Sequence, residues 1–104
     1  MPELHGDAQA EVGSAARWYE QRGGPGVSER LLTEVEEALD RIDAFPESGA
    51  PWPHPGLVRE VRRIKLPSFR YGVFYVTAPR LIVMAFAHSA RDPAYWVGRL
   101  DDAR

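Results

Sequence analysis

The sequence predicts an α+β domain of two layers. An N-terminal helical hairpin packs on a small, mostly antiparallel β-sheet, and a short C-terminal helix follows. Hydrophobic residues recur with helical spacing in the first half and with strand spacing in the second half, and glycines and prolines separate the segments. The chain has 104 residues, which is long enough to form one hydrophobic core. Of these residues 44% are hydrophobic and 27% charged, values typical of a globular protein. We therefore predict a single domain over residues 1–104.

Two apolar stripes predict the helices of the hairpin. The first consists of Val12, Ala15, Ala16 and Tyr19, and the second of Leu31, Val35, Ala38, Leu39 and Ile42. The run Gly23-Gly24-Pro25-Gly26 ends the first helix, Ser28 is the predicted N-cap of the second, and Pro46 ends it. Because the connection is short, the two helices form a hairpin.

The segment from Pro46 to Gly56 contains four prolines and predicts a connector from the helices to the sheet, with Trp52 held against the core. After it, Ile64 and Leu66 alternate with polar residues, residues 69–76 alternate beyond a turn, and residues 81–88 are continuously apolar up to the last one. These segments predict three strands in an antiparallel meander, the third covered on both faces.

The two ends of the chain complete the predicted fold. Residues 3–5 predict a short edge strand, and Asp92 and Pro93 predict the N-cap and first turn of the C-terminal helix.

Several classes of chemistry have no support in the sequence. Cysteine is absent, His5, His54 and His88 are far apart without metal-like spacing, and no nucleotide-binding, zinc-protease or serine-hydrolase motif occurs. The N-terminus lacks the features of a secretory signal, and no apolar run approaches the ~20 residues of a membrane span. We expect a cytoplasmic protein without metal or cofactor and without membrane contact.

Charge divides the chain into unlike halves. Residues 1–52 carry four arginines and eleven acidic residues, whereas residues 53–104 carry nine basic and four acidic residues, for a formal net charge of −2. This asymmetry indicates either a polyanionic or acidic partner for the C-terminal half, or attraction between the two halves within the domain. Arginine, which dominates the basic residues, suits phosphate and carboxylate alike.

The corner from His88 to Trp96 is a candidate site, because it places an imidazole and a guanidinium directly after an apolar strand. If the strands are neighbours, a basic set converges with His88 and Tyr95 on one concave surface. That set is Arg59, Arg63, Lys65 and Arg70. His88 as general acid or base, with arginines stabilising the transition state, is adequate for RNA cleavage without a metal. The alternative is structural: a hydrogen-bonded His88 at a strand end, a local Arg91–Asp92 contact, and aromatic residues in the core.

Several short segments resemble the RelE/ParE family, the toxins of type II toxin–antitoxin systems. They are Ala16-Arg17-Trp18-Tyr19-Glu20, the Val35–Leu39 helix ending in Phe45-Pro46, Phe69–Tyr75, and His88–Trp96. They occur in the family's order, and the similarity runs from about Ala8 to Leu100. The resemblance implies a small sheet flanked by a helical hairpin and a cognate antitoxin that wraps the toxin and neutralises it. A heterotetramer with the antitoxin is one assembly that the resemblance allows.

The resemblance also implies two alternative mechanisms. RelE-like members are ribosome-dependent endoribonucleases that cut mRNA, and ParE-like members bind DNA gyrase without catalysis of their own. Trp18-Tyr19-Glu20 and the Arg91–Trp96 ending are closer to ParE, Ser89 stands near the position expected for a catalytic arginine, and the calculated pI of 5.9 disfavours docking to RNA. We therefore favour a binding toxin over an enzyme, and an inert member that only binds antitoxin is a third alternative.

The candidate residues follow from these alternatives. For a nuclease the catalytic residues are His88, Arg63, Arg70 and Tyr95. For a target-binding or antitoxin-binding surface they are Arg59, Arg63, Lys65, Arg70 and Arg91.

Overall fold

Two helices joined by a single glycine form the hairpin. The computed structural model describes residues 2–102, in which α1 spans Gly6–Gly23 and α2 spans Pro25–Ala44. Gly24 has a φ of +86°, a conformation that favours glycine, and Pro25 occupies the first turn of α2, where its missing N–H costs nothing. The prediction of Ser28 as N-cap was wrong, because the Gly-Pro pair starts the helix earlier and leaves Ser28 buried inside it.

Five strands form one sheet within residues 2–102, in the order β1-β5-β4-β3-β2. Their bounds are Glu3–Leu4 for β1, Ala50–Pro51 for β2, Arg62–Lys65 for β3, Tyr71–Val76 for β4 and Ile82–His88 for β5. β3, β4 and β5 form the predicted antiparallel meander, and β1 is the predicted short edge strand, parallel to β5. The C-terminal segment contains α3, Ala94–Val97, and a 3₁₀ helix, Gly98–Asp102.

The start of the C-terminal helix differs slightly from the prediction. α3 begins at Ala94 with Pro93 as its boundary residue, one residue later than expected. The side chain of Asp92 nevertheless accepts a hydrogen bond from the Ala94 N–H at 2.9 Å, so it holds the first turn as a capping residue does.

A bulge in β5 sets which side chains reach the hairpin. Phe74 is opposite Ala85 and Tyr75 is opposite Val83, so Met84 has no partner in the register. Because the extra residue shifts the alternation, Phe86 shares the hairpin face of the sheet with Val83. The same shift directs His88, two residues later, to that face.

β2 lies within the proline-rich connector and was not predicted from the sequence. Ala50 and Pro51 pair with Arg63 and Arg62, and the buried hydroxyl of Tyr75 fixes the connector. That hydroxyl accepts a hydrogen bond from the Gly49 N–H at 2.8 Å and donates one to the Pro46 carbonyl at 2.7 Å. The connector is therefore a part of the sheet rather than only a crossing.

The sheet separates two hydrophobic clusters. The hairpin-side cluster contains Leu31, Ile42, Val73, Tyr75 and Phe86 among others. The cluster on the opposite face contains Phe74, Met84, Trp96 and Leu100, with Trp52 packed against it as predicted. Both faces of β5 are buried, which confirms the prediction for this strand. Neither α1, α2 nor α3 is long and apolar enough to cross a membrane.

Candidate functional site: two cavities on opposite faces of the sheet

A cleft of about 590 Å³ lies between α1, the hairpin face of the sheet and the C-terminal segment. We call it the aromatic cleft. Its lining residues are Asp7, Ala10, Glu11, Ser14, Ala15, Trp18, Tyr19, Tyr71, Phe86, His88, Arg91, Tyr95 and Arg99. Its volume and its five Trp, Tyr and Phe side chains suit a binding site for a small molecule or a peptide segment.

Helical spacing and strand register bring these residues together. Glu11, Ala15 and Trp18 follow one another at intervals of four and three along α1, so they share the helix face that borders the cleft. Tyr71 and His88 are directly opposite each other in the β4–β5 register and form the end of the floor. The rings of Tyr71 and His88 meet edge to face with centroids 5.2 Å apart.

Glu11 and Arg99 hold the C-terminal segment against α1. Two guanidinium nitrogens of Arg99 contact the two carboxylate oxygens of Glu11 at 2.8 and 3.0 Å, a bidentate pair. The same side chains satisfy backbone groups of β5, because Glu11 accepts from the Phe86 N–H at 3.1 Å and Arg99 donates to the Met84 carbonyl at 3.2 Å. This pairing with Glu11 raises the pKa of Arg99 further.

Of the two ring nitrogens of His88, the backbone binds Nδ1 and leaves Nε2 for a ligand. Its Nδ1 accepts a hydrogen bond from the Ala90 N–H at 3.0 Å, so in the neutral ring the proton is on Nε2. Nearby, the Arg91 guanidinium lies 3.7 Å from the centroid of the Tyr95 ring, a cation–π contact. The cleft thus combines an imidazole and a guanidinium with aromatic walls.

Tyr71 and Tyr95 keep their protons at neutral pH because their pKa values are raised. Burial raises the pKa of Tyr71, the proximity of Tyr19 adds to this, and Arg91 opposes it. Burial also raises the pKa of Tyr95, with a further contribution from Glu11 against an opposing one from Arg91. Both phenols therefore act as hydrogen-bonding groups rather than as phenolates.

A second cavity, of about 330 Å³, lies beside β3, β4 and the end of β5, and we call it the basic pocket. Its lining residues are Arg63, Lys65, Leu66, Phe69, Arg70, Tyr71, Gly72, Phe74, Ala87 and Ser89. Arg63, Lys65 and Arg70 form no ion pair or side-chain hydrogen bond with any other residue in the range 2–102. Phe74 and Ala87, which line the pocket, belong to the cluster on the sheet face away from the hairpin.

The structure divides the predicted site residues between these cavities. His88, Arg91 and Tyr95 line the aromatic cleft, whereas Arg63, Lys65 and Arg70 line the basic pocket. Arg59 lines neither of the two, and its guanidinium is 3.5 Å from the carbonyl of Ala78. The residues proposed for RNA cleavage therefore do not share one cavity.

Sequence reasoning missed several residues of the aromatic cleft. Glu11 stands on the buried face of α1 between Ala8 and Ala15, and a carboxylate on an apolar face is a signal that could have identified it. Arg99 gave no such signal, because its role depends on how the C-terminal segment folds back. The residues that the structure describes contain no group of His, Asp and Glu able to hold a metal ion.

The geometry defines a small α+β domain with a ligand-accessible cavity on each face of its sheet. A family model described as the ParE toxin of the type II toxin–antitoxin system parDE matches residues 3–93. The chain belongs to this family and is thus a type II toxin–antitoxin toxin by family, which confirms the resemblance.

A solved structure shows the same fold. It is titled "Chromosomal ParDE TA system from P. aeruginosa", has a TM-score of 0.66 and 17% sequence identity, and the match covers 83% of this chain and 91% of that chain. Comparison with curated proteins gives no match. The match to the family ends at residue 93, so Tyr95 and Arg99 lie beyond it.

Proposed function

We propose that the chain is a ParE-like toxin that acts by binding a target such as DNA gyrase, without catalysis, and that a cognate antitoxin neutralises it by occupying the aromatic cleft. The observation that carries the proposal is the match to the ParE toxin family over residues 3–93. The cavities supply the physical argument for binding rather than chemistry.

The separation of the candidate catalytic residues supports a binding toxin. His88 and Tyr95 line one cavity and Arg63 and Arg70 another. General acid–base catalysis requires groups within hydrogen-bond reach of the same reacting atoms. The net charge of −2 also disfavours an enzyme whose substrate would be RNA on the ribosome.

The lining of the aromatic cleft supports an antitoxin at this place. On the outer edge of β5, β1 pairs with Ile82 and Val83, and the side chains of Glu11 and Arg99 bond the Phe86 N–H and the Met84 carbonyl, so this part of the edge is already covered. The aromatic cleft beside it accepts the apolar side chains of an added segment. Trp18, 47% exposed at the cleft, is the kind of residue that a partner covers.

The target claim is tested with purified DNA gyrase. Supercoiling should fall as toxin is added, and prior addition of the antitoxin should restore it. Unchanged supercoiling at an excess of toxin removes the gyrase claim.

The antitoxin claim is tested by co-expression with the small open reading frame next to the gene. The two proteins should co-purify, and the mass of the complex tests the heterotetramer. Separate elution counts against an antitoxin encoded there.

One observation favours the alternative of a metal-independent mRNA endoribonuclease. His88 lines the aromatic cleft together with Arg91 and Tyr95, so an imidazole and a guanidinium border the same cavity. Primer extension on translated mRNA should then show cuts in the ribosomal A site that disappear in His88→Ala.

Growth that is unaffected by induced expression without antitoxin favours the third alternative, an inert antitoxin-binding member.

A further inference from the structure

We propose that the basic pocket is a second docking site for the antitoxin, and that it takes an acidic segment carrying one apolar anchor residue. The inference rests on the proposed function, because it takes the antitoxin as the partner. It assigns to this partner a particular chemistry and a site separate from the aromatic cleft.

The charges around the basic pocket are complementary to an acidic segment. Arg63, Lys65 and Arg70 surround one cavity, and none of the three has an acidic partner among the residues that the structure describes. Three like charges around one cavity repel one another and favour an anionic ligand. An acidic segment would pair with these cations.

The floor of the basic pocket is apolar. Leu66, Phe69, Phe74 and Ala87 line the same cavity as the three cations. A phosphodiester backbone has no apolar group to place there, and Phe74 is engaged by Trp52 and Trp96, so its face is not available for stacking on a base. An acidic peptide with an apolar side chain fills the floor and pairs with the rim at the same time.

The exposed surface of α2, on the other side of the molecule from the basic pocket, is acidic. Glu29, Glu36, Glu37 and Asp40 are exposed along α2. This acidic surface repels a long polyanion such as RNA or DNA, whereas a short acidic segment can reach the basic pocket without approaching it.

The two cavities meet at one corner, which lets a single partner reach both. Tyr71 lines the aromatic cleft and the basic pocket, and the consecutive residues His88 and Ser89 line one cavity each. An extended segment that crosses this corner would place apolar residues in the cleft and acidic residues in the pocket. Linking two contacts in one chain raises the affinity beyond that of either contact alone.

Gly72 gives a test that leaves the charges unchanged. A methyl group added at Gly72 would be 3.1 and 3.2 Å from Cδ and Cγ of Arg63 and 3.2 Å from Cε1 of Phe74, so both side chains lie against this glycine. Gly72→Ala therefore shifts the stem of Arg63 and the ring of Phe74 while the net charge stays the same. Loss of binding in this variant reports the shape of the basic pocket rather than its charge.

The experiment measures binding of the antitoxin, produced from the adjacent gene, to wild-type toxin and three variants at low and high salt. Arg70→Gln should weaken binding about tenfold at low salt and reduce its salt dependence. Gly72→Ala should weaken binding several-fold. Arg41→Gln, which removes one exposed charge from the hairpin, should bind like wild type. Thermal unfolding of each variant separates these effects from a loss of folded protein.

Each outcome of this experiment has a defined meaning. Wild-type affinity and salt dependence in Arg70→Gln overturn the second docking site while the proposed antitoxin complex stands. Failure of wild-type toxin to bind the antitoxin overturns both. Binding of a labelled single-stranded DNA of about 20 nucleotides that Arg70→Gln abolishes, and that the antitoxin does not displace, assigns the pocket to nucleic acid and overturns the proposal.

Discussion

Arg99, in the last turn of the described chain, forms a bidentate ion pair with Glu11 in the second turn of α1, with nitrogen–oxygen distances of 2.8 and 3.0 Å. The pair joins two distant parts of the sequence across the edge of β5, and both residues line the aromatic cleft. Since each side chain also satisfies a backbone group of β5, the contact stabilises both the sheet edge and the C-terminal segment.

Glu11→Gln tests this pair. The guanidinium of Arg99, only 13% exposed, would lose its bidentate charged partner and keep Asp7 at 3.6 Å, so we expect the free energy of unfolding to fall by about 2 kcal/mol. Chemical denaturation measures the change. Glu3→Gln, which breaks the exposed pair with Arg80, is the control and should have little effect. Equal effects of the two substitutions would contradict the assigned role of Glu11.

Tyr75→Phe tests the attachment of the proline-rich connector. The substitution removes the hydroxyl that bonds Pro46 and Gly49 and leaves both backbone groups without this partner. We expect a loss of about 2 kcal/mol in the free energy of unfolding. Tyr19→Phe is the matched control, because the Tyr19 hydroxyl makes no hydrogen bond within residues 2–102. Denaturation curves of Tyr75→Phe and wild type that superimpose would show that the connector does not depend on this hydroxyl.

The ionisation of Glu34 should make the free energy of unfolding depend on pH. Burial acts to raise its pKa, but hydrogen bonds from the Ser68 backbone and hydroxyl and from Arg30 outweigh burial, so the pKa is below its usual value of 4.5. A carboxylate with a lowered folded-state pKa stabilises the fold above pH 4.5, and this contribution is lost as the pH falls through the folded-state pKa.

The measurement is the free energy of unfolding of wild type and Glu34→Gln as a function of pH. The difference between them should be largest near neutral pH and should shrink below pH 4.5. A difference that is constant over this range would show that the carboxylate charge of Glu34 does not matter.

Trp18→Ala tests the aromatic cleft as the antitoxin site. Trp18 is partly exposed, borders the cleft and contacts Arg22 through its ring, so its removal costs little folded-state packing. We expect antitoxin binding to weaken tenfold or more, as for a large aromatic residue at an interface centre. Phe45→Ala is the control, because Phe45 is 69% exposed and lines a separate cavity. Equal affinity of the Trp18 variant and wild type would place the antitoxin elsewhere.

The fold follows from local signals that the sequence displays directly. The apolar stripes of the helices, the Gly-Pro junction and the alternation in β3 and β4 each record a local geometry, so the two layers and the meander were predictable. β2 was not predictable, because the connector that contains Ala50-Pro51 is held beside β3 by long-range contacts from the side chains of Tyr75 and Arg62. Proline-rich segments carry no periodic signal for such pairing.

The site was less predictable than the fold. Whether His88 faces the hairpin or the opposite side depends on the bulge at Met84, and no local sequence pattern predicts this bulge. A regular register puts His88 with Arg63 on one surface, and the shift separates them into two cavities. The pairing of Glu11 with Arg99 connects residues 88 positions apart, which single-sequence reasoning does not detect.

The central claim, a toxin that acts by binding rather than by catalysis, is tested most directly by titrating purified DNA gyrase with wild-type toxin and with His88→Asn. Asn at position 88 can still accept the hydrogen bond from the Ala90 N–H through Oδ1 but cannot act as a general acid or base. We predict that both proteins inhibit supercoiling at the same concentration. The absence of inhibition by wild type, together with mRNA cleavage that His88→Asn abolishes, would contradict this claim.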